Sequence, residues 1–204
     1  MNATLLLAAG ALGLLSFFEP CTLATHALFA ARAHAGPAAP RRRALMQLLL
    51  SRTLLLCALF ATAAAIGWEE YSAPAAVAML GVMGAVYLVS RKLYLPVPHV
   101  EFFRLLPAHA GLAQAYKLGW TLPACTLPLV VIVTLACALN QRPLIAAAAG
   151  WVFALMFTLP TLWDSTHGLD AAHRALLSRA ADTSPYVTAA LLWGSALFIW
   201  QTGN

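Results

Sequence analysis

One pattern occurs twice in this chain: Phe18-Glu19-Pro20-Cys21-Thr22-Leu23 near the start, and Leu122-Pro123-Ala124-Cys125-Thr126-Leu127-Pro128 about half a chain later. Each copy places a cysteine one or two residues after a proline, within an otherwise apolar stretch. Proline lacks an N–H and clashes with the preceding turn, so it breaks a helix, yet it is favoured at the first position of a new one. We therefore predict two membrane helices that stop and restart, each with its cysteine in the first turn of the restarted part.

The composition indicates the class of protein. Of the 204 residues, 62% are hydrophobic and only 9% are charged, whereas a soluble domain carries roughly 25% charged residues. Such a chain cannot cover a soluble surface, so we predict an all-α integral membrane protein whose surroundings are a lipid bilayer. The net charge of +5 does not indicate a nucleic-acid partner, because in a membrane protein the positions of the charges carry the information.

Apolar stretches predict six spanning segments, at about 3–31, 44–68, 73–89, 118–139, 144–162 and 186–200. No Lys or Arg precedes the first segment, so we expect a spanning helix there and not a signal peptide. Within the basic connection 91–117, the mixed stretch 100–106 is typical of a short amphipathic helix in the membrane interface.

The basic residues predict the orientation of these segments. Every Lys and Arg except Arg52 and Arg142 lies in the loops 32–43, 90–117 and 163–185. Arg52 lies in the end of a segment, from which its side chain can snorkel toward those loops. The opposite loops hold Arg142 beside Glu69 and Glu70. Since positive charge marks the cytoplasmic side, we expect both termini to be extracytoplasmic.

The repeated pattern predicts a single membrane domain, 1–204, made of an inverted 3+3 repeat. Residues 1–95 form the first three-helix unit and residues 105–204 the second, each beginning with a broken helix. An odd number of helices per unit inverts the second copy, as in many transporters. Counted at about 1.5 Å per residue from Arg32 and Lys117, both cysteines lie roughly 12–16 Å inside the cytoplasmic boundary, near mid-membrane. They are therefore predicted to meet at a pseudo-two-fold axis.

The position of the cysteines favours thiol chemistry. A thiol in a restarted first turn experiences the positive end of the helix dipole, which favours the thiolate that attacks disulfides. Two such cysteines that meet can accept two electrons and two protons from a dithiol and pass them on. We interpret Cys57 and Cys137, which lack neighbouring prolines, as small apolar fillers.

The two patterns resemble the motifs of the cytochrome c biogenesis protein CcdA family and of the membrane domain of the thiol:disulfide interchange protein DsbD. The resemblance covers nearly the whole chain in length, segment number and orientation. By resemblance, the redox-active residues are Cys21 and Cys125, and the motif prolines are Pro20 and Pro128. The chain departs from the family pattern at Glu19, where the family usually has Ser or Thr, and at Ala24 and Ala124, where it usually has proline.

The resemblance implies electron transfer across the bacterial inner membrane. Cytosolic thioredoxin would reduce the cysteine pair, which would then reduce a separate extracytoplasmic thioredoxin-like protein serving cytochrome c maturation or a related reductive pathway. The chain would be a carrier of the thiol-disulfide oxidoreductase type, without a bound cofactor, because the cysteines themselves hold the electrons. Pro20, Pro123 and Pro128 would supply the broken backbone for alternating access.

Several neighbours of the cysteines carry open alternatives. A carboxylate within a membrane segment indicates function by default, so Glu19 could accept the proton of Cys21, or it could cap the N–H groups that the break frees. Thr22 and Thr126 could donate hydrogen bonds to a thiolate or bond back to their own helices. His26 is either a hydrogen-bonded histidine or a metal ligand.

The alternative function is transport of a metal ion or a small thiol. A soft site for such a metal would combine the residues Glu19, Cys21, His26 and Cys125. The two functions predict different effects of single Cys→Ser changes. An electron carrier should lose all of its activity, whereas a transporter should retain part of it.

Overall fold

The computed structural model of the chain describes residues 2–67, 73–93, 100–105, 113–168 and 171–202. The described residues are nearly all helical. In chain order the helices are α1 Asn2–Phe18, α2 Pro20–Ala35, α3 Ala38–Ile66, α4 Ala73–Leu93, α5 Gln114–Gly119, α6 Leu127–Asn140, α7 Pro143–His167 and α8 Ala171–Thr202. Two short strands, β1 Val100–Glu101 and β2 Thr121–Leu122, pair antiparallel, and a 3-10 helix, Phe102–Leu105, follows β1.

Length and hydropathy identify the candidate membrane spans. Helices α3 and α7 are long and apolar enough to cross a bilayer, and α1 with α2 qualifies as a third span if the bent pair is counted as one. Shorter apolar stretches lie at 77–86 and in α6. Large apolar side chains such as Leu7, Ile66 and Leu144 point outward, as expected for a surface that faces lipid tails. The described helices therefore fit a membrane protein, while the count of six spans stays a prediction.

The first predicted break is confirmed. Helix α1 ends at Phe18, α2 begins at Pro20, and the two axes are bent by 76°. The cause is local: Pro20 occupies the first turn of α2, where a missing N–H removes no helical hydrogen bond. Cys21 therefore lies in the first turn of a restarted helix, as predicted.

The second break takes a different form from the prediction. Helix α5 ends at Gly119, β2 follows, and residues 124–126 form a turn before α6 begins at Leu127. Cys125 thus precedes the restarted helix and does not lie within its first turn. The reason is Pro128, which has no N–H for the carbonyl of Ala124, so the N–H of Leu127 bonds that carbonyl in a tighter turn.

The stretch 100–106 is not the amphipathic helix that the sequence predicts. Strand β1 pairs with β2, with Val100 opposite Leu122 and Glu101 opposite Thr121. The N–H of Phe102 also donates to the carbonyl of Trp120 at 3.0 Å. A broken helix leaves backbone groups that lipid cannot satisfy, and this returning segment supplies partners for those of the second break.

Two loop predictions are wrong in extent. The basic loop 32–43 is mostly helical: α2 continues to Ala35, α3 begins at Ala38, and Arg41, Arg42 and Arg43 lie in its first turns. The predicted loop 163–185 is helical too, because α7 continues to His167 and α8 begins at Ala171. In both regions the helices continue through polar residues, beyond the ends of the apolar segments that the sequence predicts. The acidic turn 69–72 and the connections 94–99 and 106–112 lie outside the described residues.

The helices pack in two groups. Helix α7 packs against α1, α2 and α3, while α5 and α6 pack against α3. Phenylalanine side chains fill the centre of this group, including Phe17, Phe60, Phe153 and Phe157. Helices α4 and α8 pack mainly against each other, around Leu80 and Leu192. The two helix breaks meet in the first group, where the cysteines lie.

Candidate functional site

The structure brings the two predicted cysteines together. Cys21 and Cys125, 104 residues apart in sequence, form a disulfide with their Cα atoms 6.7 Å apart, within the range that disulfides require. Cys125 is buried, with 8% of its surface exposed, whereas Cys21 is half-buried. Cys21 is therefore the more accessible residue of the pair. Cys57 and Cys137 are free thiols, and Cys57 donates to the carbonyl of Ala147 at 3.2 Å.

The two motif threonines have different roles. The hydroxyl of Thr22 lies 4.0 Å from the sulfur of Cys125, across the two breaks. The hydroxyl of Thr126 donates to the carbonyl of Pro123 at 2.8 Å, within its own turn. Of the two alternatives, Thr22 faces the cysteine pair and Thr126 bonds back to the backbone. Pro20 and Pro128 lie in the first turns of α2 and α6, and Pro123 precedes the turn that holds Cys125.

Glu19 is completely buried and does not cap α2. It occupies the N-cap position, but its side chain makes no capping hydrogen bond. Instead the hydroxyl of Thr188 donates to its Oε1 at 2.6 Å. One turn earlier on α8, Ser184 donates to the carbonyl of Phe18 at 3.1 Å. The last helix of the chain therefore holds the first break through two hydroxyl groups, which we call the α8 clamp.

The α8 clamp could not be found from the sequence near the cysteines. Ser184 and Thr188 are four residues apart and so share one face of a helix, which is the only signal they carry. Their partners lie at the other end of the chain, and no local pattern links them.

Arg52 does not snorkel toward the cytoplasmic boundary, as the sequence suggests. It is completely buried, and its Nη2 donates to Nε2 of His26 at 2.8 Å and to the carbonyl of Leu118 at 3.4 Å. Its Nη1 donates to the hydroxyl of Thr158 at 3.2 Å, and its guanidinium lies 4.1 Å from the centre of the Phe157 ring. Acceptors on α2, α5 and α7 hold the side chain inside the protein.

His26 has both ring nitrogens engaged. Because a guanidinium has only donors, Nε2 must accept from Arg52, and Nδ1 then carries the hydrogen and donates to the carbonyl of Thr22 at 2.9 Å. This is a neutral, hydrogen-bonded histidine. Among residues 2–67, 73–93, 100–105, 113–168 and 171–202, no three His, Cys, Asp or Glu side chains are grouped so that they could hold a metal ion.

The site is thus a disulfide between a half-buried and a buried cysteine at two helix breaks, and the protein also buries an acidic side chain, Glu19, and a basic one, Arg52. A disulfide of this kind can accept two electrons, and the surrounding hydroxyl groups satisfy the broken backbone. No family model, curated protein or solved structure matches the chain.

Proposed function

We propose that this protein is a membrane electron carrier that uses Cys21 and Cys125 as its redox-active pair. The observation that carries the proposal is the disulfide itself, which joins the two proline-containing breaks across half of the chain. Both of its cysteines lie where the helical backbone is interrupted, Cys21 at the start of α2 and Cys125 just before α6. In membrane proteins that geometry is typical of working sites.

The reaction is thiol–disulfide exchange. A thiolate of an incoming dithiol protein attacks the sulfur of Cys21, the Cys21–Cys125 bond breaks, and its electron pair leaves on Cys125 as a thiolate. The second thiol of the incoming protein loses its proton and resolves the mixed disulfide, which releases Cys21 as a thiolate and the partner as a disulfide. Two protons complete the dithiol. Exposure of Cys21 and burial of Cys125 favour this order of attack.

Packing supports the inverted 3+3 repeat. In such a repeat a pseudo-two-fold axis would exchange α3 with α7 and α4 with α8, and each of these pairs is in mutual contact. The same axis would exchange the packing of α1 and α2 against α7 with the packing of α5 and α6 against α3, and both sets of contacts exist. We propose that the two units move relative to each other, so that the pair is open first to the cytoplasm and then to the opposite side.

Partners and location follow from the resemblance to the CcdA family and the membrane domain of DsbD. The electron donor is cytosolic thioredoxin, and the acceptor is a separate extracytoplasmic thioredoxin-like protein in cytochrome c maturation or a related reductive pathway. The protein lies in a bacterial inner membrane with both termini extracytoplasmic. The basic side chains at the α2–α3 end of the molecule, Arg32, Arg41, Arg42 and Arg43, support that orientation.

Differential thiol trapping tests the proposal. Cys57 and Cys137 are changed to Ala, and the state of Cys21 and Cys125 is recorded in membranes of cells with and without thioredoxin. We expect a disulfide without thioredoxin and two free thiols with it. Single Cys21→Ser and Cys125→Ser variants should each lose all transfer. A pair that stays reduced in both strains contradicts the proposal.

A further inference from the structure

Arg52 is a buried cation whose described partners are all neutral. Its hydrogen bonds go to a neutral imidazole, a hydroxyl and a carbonyl, and its guanidinium lies against an aromatic ring. Within the described ranges, no carboxylate forms a salt bridge with it. A charge inside a membrane protein is expensive and is retained when it pairs with an opposite charge or serves the site. Among the described residues, Arg52 therefore has no opposite charge beside it while Cys21 and Cys125 form a disulfide.

The contacts of Arg52 lead to the cysteine pair. Arg52 donates to His26, His26 donates to the carbonyl of Thr22, and the hydroxyl of Thr22 lies 4.0 Å from the sulfur of Cys125. These links fix the orientation of His26 and of the first turns of α2. They connect the positive charge, through His26 and Thr22, to the hydroxyl that lies against the sulfur of Cys125.

We infer that Arg52 is the counter-charge for the Cys125 thiolate that forms when the disulfide opens. The inference rests on the proposed electron transfer, because only reduction creates that anion. When the bond breaks, its electron pair stays on the sulfur of Cys125, in surroundings with little water to stabilise it. The charge of Arg52 acts through low-dielectric protein, where attraction is much stronger than in water. Arg52 is a positioning residue, since His26 and Thr22 lie between it and the sulfur.

Other titratable groups lie on the elements packed around the cysteine pair. The elements packed around it contribute buried Glu19 at the first break, His26 on α2 and Asp164 on α7, and half-buried Lys117 on α5. An ionised carboxylate at Glu19 or Asp164 would oppose a thiolate. Arg52 is the one Lys or Arg among the described side chains that is completely buried.

The test measures the reactivity of Cys125 alone. In the full-length chain, Cys21→Ser, Cys57→Ala and Cys137→Ala leave Cys125 as the single thiol, and its reaction with N-ethylmaleimide is followed from acid to alkaline pH. The readout is the midpoint of the pH profile, because a change in access alters the plateau rate and not the midpoint. We expect Arg52→Gln to move the midpoint to higher pH and slow the reaction at neutral pH about tenfold, which corresponds to about one pH unit.

Two matched variants separate charge from structure. Arg52→Lys keeps the positive charge and should keep most of the original midpoint, and Arg142→Gln removes an exposed charge at a distant turn and should change nothing. An unchanged midpoint in a folded Arg52→Gln protein would overturn the inference. This result can be told apart from a failure of the proposed function. The alkylation of Cys125 requires no thioredoxin, whereas the thiol-trapping experiment on the Cys21–Cys125 pair compares cells with and without it.

A second route applies if Arg52→Gln does not fold. Thr158→Glu places a carboxylate where the hydroxyl now accepts from Nη1 of Arg52, so it neutralises the charge without removing the arginine. The same shift to higher pH is expected. A folded Thr158→Glu protein with the original midpoint would also overturn the inference.

Discussion

At the scale of single residues, the unusual feature is a carboxyl group held by a hydroxyl inside a helix break. Glu19 stands directly before the proline that starts α2, where a capping role is the ordinary expectation. Its side chain instead accepts from Thr188 of α8. Ser184 of the same helix bonds the carbonyl of Phe18. The Phe18 carbonyl and the Glu19 carboxyl at the first break therefore accept hydrogen bonds from α8, and the stability of the break depends on that helix.

The hydrogen bond between Thr188 and Glu19 can be tested by removing the hydroxyl. Thr188→Val keeps the shape of the side chain but leaves a buried carboxyl without this donor, at a cost of about 1–3 kcal/mol. We expect a lower unfolding temperature in detergent. Thr62→Val is the matched control, since the Thr62 hydroxyl is exposed and bonds only its own helix, and it should leave the unfolding temperature nearly unchanged. Equal effects of the two changes would contradict the assigned role of Thr188.

At the scale of helices and strands, close contact between α3 and α7 depends on a glycine. A Cβ atom at Gly150 would lie 2.7 Å from the carbonyl oxygen of Leu56 and 2.8 Å from the Cα of Cys57. Both are backbone atoms, which cannot move aside without shifting the helix. The absence of a side chain at this position is therefore what lets the two long helices approach, and small residues commonly serve that purpose in membranes.

Gly150→Ala should separate α3 from α7. We expect a loss of about 1–3 kcal/mol of unfolding free energy, as for other overpacked contacts, seen as a lower unfolding temperature. Gly81→Ala is the matched control on α4, because a Cβ atom there meets nothing within 4 Å, and it should be neutral or stabilising by about 0.5–1 kcal/mol. A Gly150→Ala protein as stable as the parent would show that the helices adjust without cost.

The strand pair beside the second break can be tested in the same way. Phe102→Pro removes the N–H that bonds the carbonyl of Trp120, so the break loses one of its backbone partners. We expect a smaller fraction of the chain with the Cys21–Cys125 disulfide after purification, measured by alkylation and gel shift. Ala38→Pro, in the first turn of α3, removes an N–H that has no helical acceptor, and should not change that fraction.

These elements show what the sequence can and cannot predict. The break at Pro20 and the meeting of Cys21 with Cys125 follow from proline chemistry and from the repeat, both of which are visible in the residues. The strand pairing of Val100 could not be predicted, because its partner lies beyond a long connection and its local pattern favours a surface helix. The position of Arg52 in α3 predicts a side chain that reaches toward the basic side, whereas its acceptors come from three other helices.

At the scale of the whole molecule, the packing separates a group around the cysteines from the pair α4 and α8. The first group is joined by phenylalanine side chains and by glycine contacts. The pair is joined within itself, with Trp193 of α8 donating to the carbonyl of Gly81. In the proposed alternating access, α4 moves with the first unit and α8 with the second, so the contact between α4 and α8 and the α8 clamp are connections that such movement must strain.

The proposed orientation predicts which ends of the molecule a membrane-impermeant reagent can reach. In a chain without its native cysteines, Gln141→Cys lies in the exposed turn between α6 and α7, and Ala39→Cys in the exposed first turn of α3. An impermeant maleimide added to spheroplasts should label Gln141→Cys and leave Ala39→Cys unlabelled until the membrane is opened. The reverse pattern would invert the proposed topology.

The α8 clamp has a consequence for how the protein is made. Its two hydrogen bonds connect residues 166 and 169 positions apart, and a ribosome delivers the N-terminal part of a chain first. The Phe18 carbonyl and the Glu19 carboxyl are thus synthesised long before Ser184 and Thr188, and during that interval the insertion machinery or water at the membrane surface must stand in for those hydroxyls. A nascent chain arrested before α8 therefore lacks the donors that Phe18 and Glu19 use in the folded protein, so the first break is completed only after α8 has been made.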